Sequence, residues 1–370
     1  LGAVALIAWC TWWAAVPLRR PWALGRMSWR FGFLVNELPF IAGYWLLAST
    51  LLAFGEGDIA SPGAGAVVGL AVLTTAGLAL LVVRALRARP ALDSALDEGL
   101  GAGWRTALDP ALAARLRRRR PWVTILFVPF AIRRRDVRHL RNLAYADGGD
   151  RHLLDVYHSR ARPAGAPILV YLHGGGFVGG RKDREARPLL YRLAGQGWVC
   201  LSANYRLSPA VQRVDQIADL KRVIGWARAN AAEYGADPAS LFVAGSSAGA
   251  NLAVAAALTA NDPALQPGFE LSDTSVAAAI GLYGYYGGLD PSSLPQGDAP
   301  PVFVVHGDKD SYVAVEGVRG FVSELRRTSA RPVVYAELPG GQHTFDLVHS
   351  VRFEAVIDAV DSFTAWVRSP

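Results

Sequence analysis

The pentapeptide Gly245-Ser246-Ser247-Ala248-Gly249 lies between an apolar run at 241–244 and an Ala-rich stretch at 248–260. A buried strand turning sharply into a helix would lift the Ser247 hydroxyl clear of the backbone, and the two outer glycines would keep Cβ atoms out of a crowded turn. A serine hydroxyl is a weak nucleophile until a base takes its proton, so the chain must also supply a histidine and a group that orients it. Seven histidines are present. His343, in the loop Gly340-Gly341-Gln342-His343 between the last expected strand and the last expected helix, is free to reach a catalytic centre, with His349 as second choice. His173 and His306 stand at strand ends, where backbone geometry is the expected job; His139, His152 and His158 precede the sheet core and read as structural. The orienting carboxylate is sought in His306-Gly307-Asp308-Lys309-Asp310, where Asp310 is expected on the base and Asp308 in the turn.

A nucleophile also needs somewhere to put the charge it creates. His173-Gly174-Gly175-Gly176 follows an apolar run at 168–172, and glycine-rich backbone at a strand end turns N–H groups towards one point. Gly174 and Gly175, with the N–H of Ala248 after the nucleophile, form the expected oxyanion hole. A phosphate loop would instead want Gly-Lys-Ser/Thr opening a helix, which Arg181-Lys182-Asp183 does not supply. The chemistry is acyl transfer through a serine acyl-enzyme, and it requires no metal or organic cofactor. Tyr205 and Arg206 are expected to brace their loop, Asp215 and Asp219 to orient backbone or arginine side chains, and Tyr285 and Tyr286 to line an acyl pocket or pack.

These residues need a scaffold. Short β-rich runs at 153–157, 168–172, 198–204, 241–244, 276–283, 302–305 and 333–338 alternate with helical patterns at 183–193, 214–234, 248–260, 315–327 and 351–367. This is the signature of an α/β fold, a mainly parallel sheet covered by helices on both faces. The order Ser247, Asp310, His343 along the chain is the order of α/β-hydrolases. From about residue 143 onward the chain resembles the hormone-sensitive-lipase-like branch of that fold, on Leu154-Asp155-Val156-Tyr157, His173 to Gly176, Asn204-Tyr205-Arg206-Leu207-Ser208-Pro209, the Ser247 pentapeptide, and the Asp310 and His343 loops. The resemblance implies an α/β-hydrolase acting on carboxylic esters, either small or lipid-derived. Ser246 stands where the branch more often has an acidic residue, and Ala250 where it often has a third glycine. The same triad would serve a small amide or formamide hydrolase or a membrane acyltransferase, and a non-catalytic binding protein on this fold is a further alternative.

With 52% apolar residues, the chain carries more hydrophobic surface than an enzyme domain needs. The excess lies at the front: 1–18, 38–54 and 64–83 are uncharged runs, read as about three membrane spans. A cleaved signal peptide competes for the first of them, but that run lacks a basic leading segment. Glu37 and Pro39 read as an interfacial entry to the second. Arg19, Arg20, Arg26 and Arg30 follow the first run, Glu56 and Asp58 the second, and Arg84, Arg87 and Arg89 the third, so the large C-terminal part is expected in the cytoplasm. Three parts follow: a membrane region at 1–90, an Arg-rich juxtamembrane or cap segment at 91–141, and the catalytic domain at 142–370. Between 105 and 141 eleven arginines face two aspartates, a net of +9 that exceeds the chain's +7. Clusters at Arg117 to Arg120 and Arg133 to Arg135 flank an apolar stretch at 122–132, as in an element lying on anionic membrane lipid. A solvated linker is the plainer reading; nucleic acid is not an expected partner, since no recognition motif accompanies the charge. The Ser247 to Asp310 interval is too short for a large lid, which leaves the Arg-rich segment as the candidate. Cys10 and Cys200 suggest no disulfide.

Overall fold

The computed structural model describes residues 2–57, 63–116, 120–291 and 299–370. The chain opens with helices α1 (Gly2–Ala15), α2 (Trp22–Glu37), α3 (Pro39–Gly55), α4 (Ala64–Leu86) and α5 (Ala88–Leu100), and short helices α6 (Pro110–Arg115) and α7 (Trp122–Phe127) follow. This revises the reading of three separate spans. Among the described residues one helix is long and apolar enough to cross a membrane, running through α4 and α5 from Ala64 to Leu100. At 1.5 Å per residue α1 reaches only about 21 Å, short of a hydrocarbon core of about 30 Å. The second run does not stand alone either: α2 and α3 meet at Leu38 with a bend of 87°. Pro39 at the first position of α3 suits the break, because proline lacks the N–H that a continuing helix would need. Glu37, read from sequence as an interfacial entry, is instead buried at this bend and ion-paired with the fully buried Arg352.

Eight strands make one sheet: β1 (Val137–Ala144), β2 (Leu153–Ser159), β3 (Ala166–Leu172), β4 (Val199–Ala203), β5 (Ala236–Ser246), β6 (Ala278–Leu282), β7 (Val302–Gly307) and β8 (Val333–Leu338). Their order is β1-β2-β4-β3-β5-β6-β7-β8, antiparallel among β1, β2 and β4 and parallel from β4 to β8. Helices α8 (Arg187–Gly195), α9 (Arg213–Ala229), α10 (Ala248–Leu258), α11 (Val315–Thr328) and α12 (Val351–Val367) lie between and after the strands.

Because successive strand side chains point to opposite faces, the sheet feeds two cores. In β3, Leu169 and Tyr171 join one core with α8, α12 and α5, while Ile168, Val170 and Leu172 join the other with α9, α10 and α11. Parallel strands buried on both faces read as continuous apolar runs, which is why their sequence signal was strong. Strand β1 lacked that signal because Arg138 and Arg141 alternate with its apolar residues on an edge strand inside the Arg-rich segment. Its ladder with β2 is irregular between Leu140 and Leu143, where Asn142 takes a left-handed backbone of φ 58°. The segment before β1 is not simply a linker: Leu92, Leu96, Trp104 and Leu108 are buried in the same core as β8 and α12.

Candidate active site

The nucleophile candidate sits where β5 ends. Ser247 has φ 53° and ψ −116°, a region that L-residues rarely adopt and that persists only when the surroundings hold it. The crowding is measurable: a Cβ on Gly245 would come within 2.2 Å of the Gly249 carbonyl oxygen, and one on Gly249 within 2.3 Å of that of Leu172. Glycine at both positions is thus a steric requirement. The Ser247 N–H donates to Leu282 O at 2.9 Å, fixing the turn to β6, and α10 begins at Ala248.

His343 Nε2 lies 3.0 Å from Ser247 Oγ, and His343 Nδ1 lies 2.7 Å from Asp310 Oδ2. All three residues are buried, Ser247 and His343 only nearly so. Burial alone would raise the Asp310 carboxyl; the neighbouring His343 ring, its hydrogen bond, His306 and the Val313 N–H outweigh that and hold it below its ordinary value. Its other oxygen accepts the N–H groups of Tyr312 and Val313, each at 2.8 Å. Asp308 does different work, accepting the Gly340 N–H at 2.7 Å and so tying the acid loop to the base loop. Gln342 ties them again, accepting from Ser311 N and His343 N and donating to Ser311 Oγ.

The oxyanion expectation needs one correction. Gly174 packs against Ser247, but its N–H already donates to Glu185 Oε2 at 2.5 Å, so it is not free to receive an anion. Gly175 and Gly176, with φ of 120° and 62°, have N–H groups that no acceptor takes among the described residues. Ala248 opens α10, where the first N–H groups of a helix lack partners within it.

Sequence reasoning missed what lies behind the nucleophile. Ser246 Oγ donates to Asp346 Oδ2 at 2.6 Å and accepts from Tyr171 OH at 2.7 Å, and Tyr283 OH donates to Asp346 Oδ1 at 2.5 Å. A carboxylate therefore does stand beside the residue preceding the nucleophile, delivered from the His343 loop rather than from the pentapeptide. Burial raises the Asp346 carboxyl, though the Ser246, Tyr283 and Tyr171 hydroxyls partly offset this. Glu185 is raised to about 8 by burial and by Asp346. Neither acid announces itself in sequence, since the partners are far apart along the chain and share no spacing.

The remaining residues fall into place around this centre. His173 stacks on Tyr205 at 4.5 Å, hydrogen-bonds the Gly174 carbonyl, and is pushed down to about 4 by burial, so it is neutral. His306 Nε2 donates to Val313 O at 3.0 Å and lies 3.3 Å from Asp310 Oδ2, so it buttresses the acid as well as the strand end. Arg206 and Asp219 form an ion pair, and Asp219 also accepts the Arg206 N–H. Asp215 caps α9. His349 pairs with Glu354, away from Ser247. His139 and His152 face Asp155 and Asp219. Tyr286, buried against Phe321, and the exposed Tyr285 both line a cleft of about 600 Å³ with Tyr312 and Val313. That cleft adjoins the centre, because the Tyr285 N–H meets Ser247 O at 3.4 Å and the Tyr312 ring lies 5.1 Å from that of His343.

Among the described residues the N-terminal helices lie against the acid and base loops, and the Arg-rich segment expected as a lid reaches the loop after His343 at Pro129, whose carbonyl accepts the His349 N–H at 3.0 Å. Contacts to Asp308, Ser311, Tyr312 and Thr344 come from α2 and the loop before it, whereas Phe127 of α7 stacks on Tyr44 of α3. The cluster at Arg117 to Arg119 lies outside the described residues.

Comparison with known proteins agrees with this geometry. A family profile described as BD-FAE matches residues 154–290. The chain is 36% identical to the probable carboxylic ester hydrolase LipM of Mycobacterium tuberculosis, over 95% of this chain and 89% of that protein. It is 39% identical to the esterase LipQ of the same organism, over 62% of this chain and 63% of that protein. The butyrate-bound esterase Est2 of Thermogutta terrifontis shares the fold with a TM-score of 0.51 and 24% identity, covering 60% of this chain and 92% of that one. The strand order, the sharp turn at Ser247 and a relative matched along nearly its whole length lead to one conclusion: this chain belongs to the carboxylic ester hydrolases of the hormone-sensitive-lipase-like branch of α/β-hydrolases.

Proposed function

We propose that the protein hydrolyses carboxylic esters, small or lipid-derived, with Ser247 as nucleophile, His343 as general base and then acid, and Asp310 as the orienting carboxylate. The observation that carries this is the unbroken hydrogen-bond chain from Asp310 through His343 to Ser247. Asp310 holds the His343 Nδ1 proton, which leaves Nε2 to take the Ser247 proton as Oγ attacks the ester carbonyl. The tetrahedral oxyanion is received by the N–H groups of Ala248, Gly175 and Gly176, with Gly174 replaced in this role because Glu185 occupies it. His343 then protonates the departing alcohol, and water repeats the sequence on the acyl-enzyme. The cleft bounded by Tyr285 and Tyr312 takes the apolar part of the substrate.

The test is labelling with a fluorophosphonate, alongside turnover of p-nitrophenyl esters of graded chain length with formamide controls. Ser247→Ala should lose the label and several orders of magnitude of turnover while keeping the fold. A label that persists on another residue would remove Ser247 from the mechanism.

The surroundings of the enzyme are part of the proposal. The apolar side chains of Leu47, Leu51, Leu52, Val72 and Leu73 are exposed on α3 and α4, which suits a hairpin crossing a bilayer. The membrane region ends near residue 90, and the basic segment that follows packs onto the catalytic part through Leu92, Leu96, Trp104 and β1. Arg84 and Arg87 at the end of α4 favour a cytoplasmic catalytic part, with the basic segment against anionic lipid.

A further inference from the structure

Helix α2 meets both catalytic loops at once. Trp29 Nε1 donates to Thr344 Oγ1 at 3.0 Å, and the Trp29 ring lies 5.2 Å from that of Tyr312, which in turn lies 5.1 Å from His343. Thr344 directly follows His343, has a left-handed φ of 61°, and donates its hydroxyl to His343 O at 2.6 Å. Tyr312 follows Asp310 by two residues, and its N–H is one of the two that hold that carboxylate. One turn earlier, Ser311 Oγ donates to Gly25 O at 2.9 Å, and a Cβ on Gly25 would fall 2.6 Å from Ser311 O, so α2 rests directly on the acid-loop backbone. The loop before α2 adds Arg19, which pairs with Glu316 and donates to Asp308 O. At the far end Asn36 Nδ2 donates to Gly340 O at 3.0 Å, in the base loop.

We propose that α2 is a positioning element of the catalytic centre, and that Trp29 is the residue that sets His343 and Asp310 relative to each other. The proposal rests on the serine-hydrolase reading of Ser247, His343 and Asp310. Trp29 touches neither the nucleophile nor the reacting atoms: its N–H fixes the strained residue after the base, and its ring fixes the residue that closes around the acid. The element is anchored at both ends, at Gly25 on the acid loop and at Asn36 on the base loop, so a tilt of α2 would move the two loops apart. Since α2 continues through the bend at Leu38 into α3, the seating of the N-terminal helices reaches the triad through this contact surface. Ester hydrolysis is sensitive to such shifts, because displacements of about 1 Å away from the chemistry cost roughly a hundredfold in rate.

The experiment uses the full-length protein and p-nitrophenyl butyrate, with kcat expressed per serine titrated by a fluorophosphonate. Misfolded molecules then drop out of the count, and a merely structural role leaves kcat per site untouched. Trp29→Phe and Thr344→Val each remove one end of the hydrogen bond and should lower kcat per site by roughly 3- to 10-fold with KM nearly constant, and the double variant should be no worse than the singles. Gly25→Ala, which lifts α2 off the acid loop, should cost about 10- to 100-fold. Met27→Ala, on the exposed side of α2, should match the wild type. If Gly25→Ala yields no folded protein, the Trp29 and Thr344 pair decides alone, since neither substitution forces extra bulk into the contact. Unchanged kcat per site in Trp29→Phe and Thr344→Val, or losses that simply multiply in the double variant, would overturn the proposal while leaving the triad standing. A titratable serine that survives Ser247→Ala would instead overturn the reading beneath it.

Discussion

Asp308 and Asp310 are separated by one lysine, yet they face different tasks. Asp310 accepts from His343 and from two backbone N–H groups, whereas Asp308 accepts from Gly340 and shapes the contact between loops. Replacing Asp310 by Asn should leave the loop in place but offer His343 an amide that favours the wrong tautomer, lowering kcat by about 10³- to 10⁴-fold. Asp308→Asn keeps an oxygen for the Gly340 N–H and should cost less than about tenfold. Steady-state kinetics on the two variants decide the matter, and the reverse ranking would move the orienting role to Asp308. Glu185 invites a different measurement. Its carboxyl is raised by burial and by Asp346 from an ordinary 4.5 to about 8, so over that interval the folded chain keeps a proton that the unfolded chain has released. Its contribution to stability is therefore full below the lower value and falls as pH rises towards the upper one. Glu185→Gln retains an oxygen for the Gly174 N–H, and should flatten the decline in urea midpoint between about pH 5 and 8. An unchanged slope would show that the proton is not held there.

At the scale of elements, legibility in the sequence followed the range of the forces involved. Helix α12 was read at both ends because its apolar period and its cap are local, with Ser350 Oγ accepting from Phe353 N. The parallel strands were read because burial on both faces leaves an uninterrupted apolar run. Helix α2 carries no such local signal, since Arg26 and Arg30 interrupt its apolar residues and its contact with Ser311, Tyr312 and Thr344 exists only in three dimensions. The triad was legible from motif and chain order; Glu185 and Asp346 were not, because their partners come from other elements. The bend between α2 and α3 shows the same limit: hydropathy reported an apolar run from Leu38 but not its direction, nor that Glu37 would pair with Arg352 and accept from Ser350 Oγ at 2.7 Å. Removing one member of a buried ion pair leaves the other charge uncompensated, so Glu37→Gln should destabilise by about 3–5 kcal/mol. Replacing both Glu37 and Arg352 by Met removes the desolvation cost with the pair and should recover most of that loss. Thermal melting of the detergent-solubilised protein measures both; a double variant as unstable as the single would mean that the bend is held by something other than this pair.

For the molecule as a whole, the proposal that α3 and α4 cross a membrane turns on which side of it the sheet occupies. The α3–α4 hairpin carries exposed apolar side chains, its tip holds Glu56 and no arginine, and its two feet join the parts of the chain that touch the catalytic loops. One foot is the bend at Leu38, tied to the base loop by Asn36 and Glu37; the other is Arg84, whose guanidinium donates to Ala15 O at 2.7 Å and whose aliphatic stem lies beside Gly340. Both feet therefore lie on the side of the sheet, which is what the proposed hairpin crossing requires. Arginines gather on that side, with Arg19, Arg26 and Arg30 before the hairpin and Arg84, Arg87 and Arg89 at its return, and the proposed cytoplasmic placement of the sheet rests on this bias. In a chain whose Cys10 and Cys200 are replaced by Ser, a single cysteine at Gly57 should react with a membrane-impermeant maleimide on intact cells. A single cysteine at exposed Arg160 should react only after the cells are opened. Labelling of both positions from outside would place the hydrolase beyond the membrane and reverse the orientation. Labelling of Gly57 only after lysis, together with Arg160, would show that α3 and α4 rest on the membrane surface without crossing it.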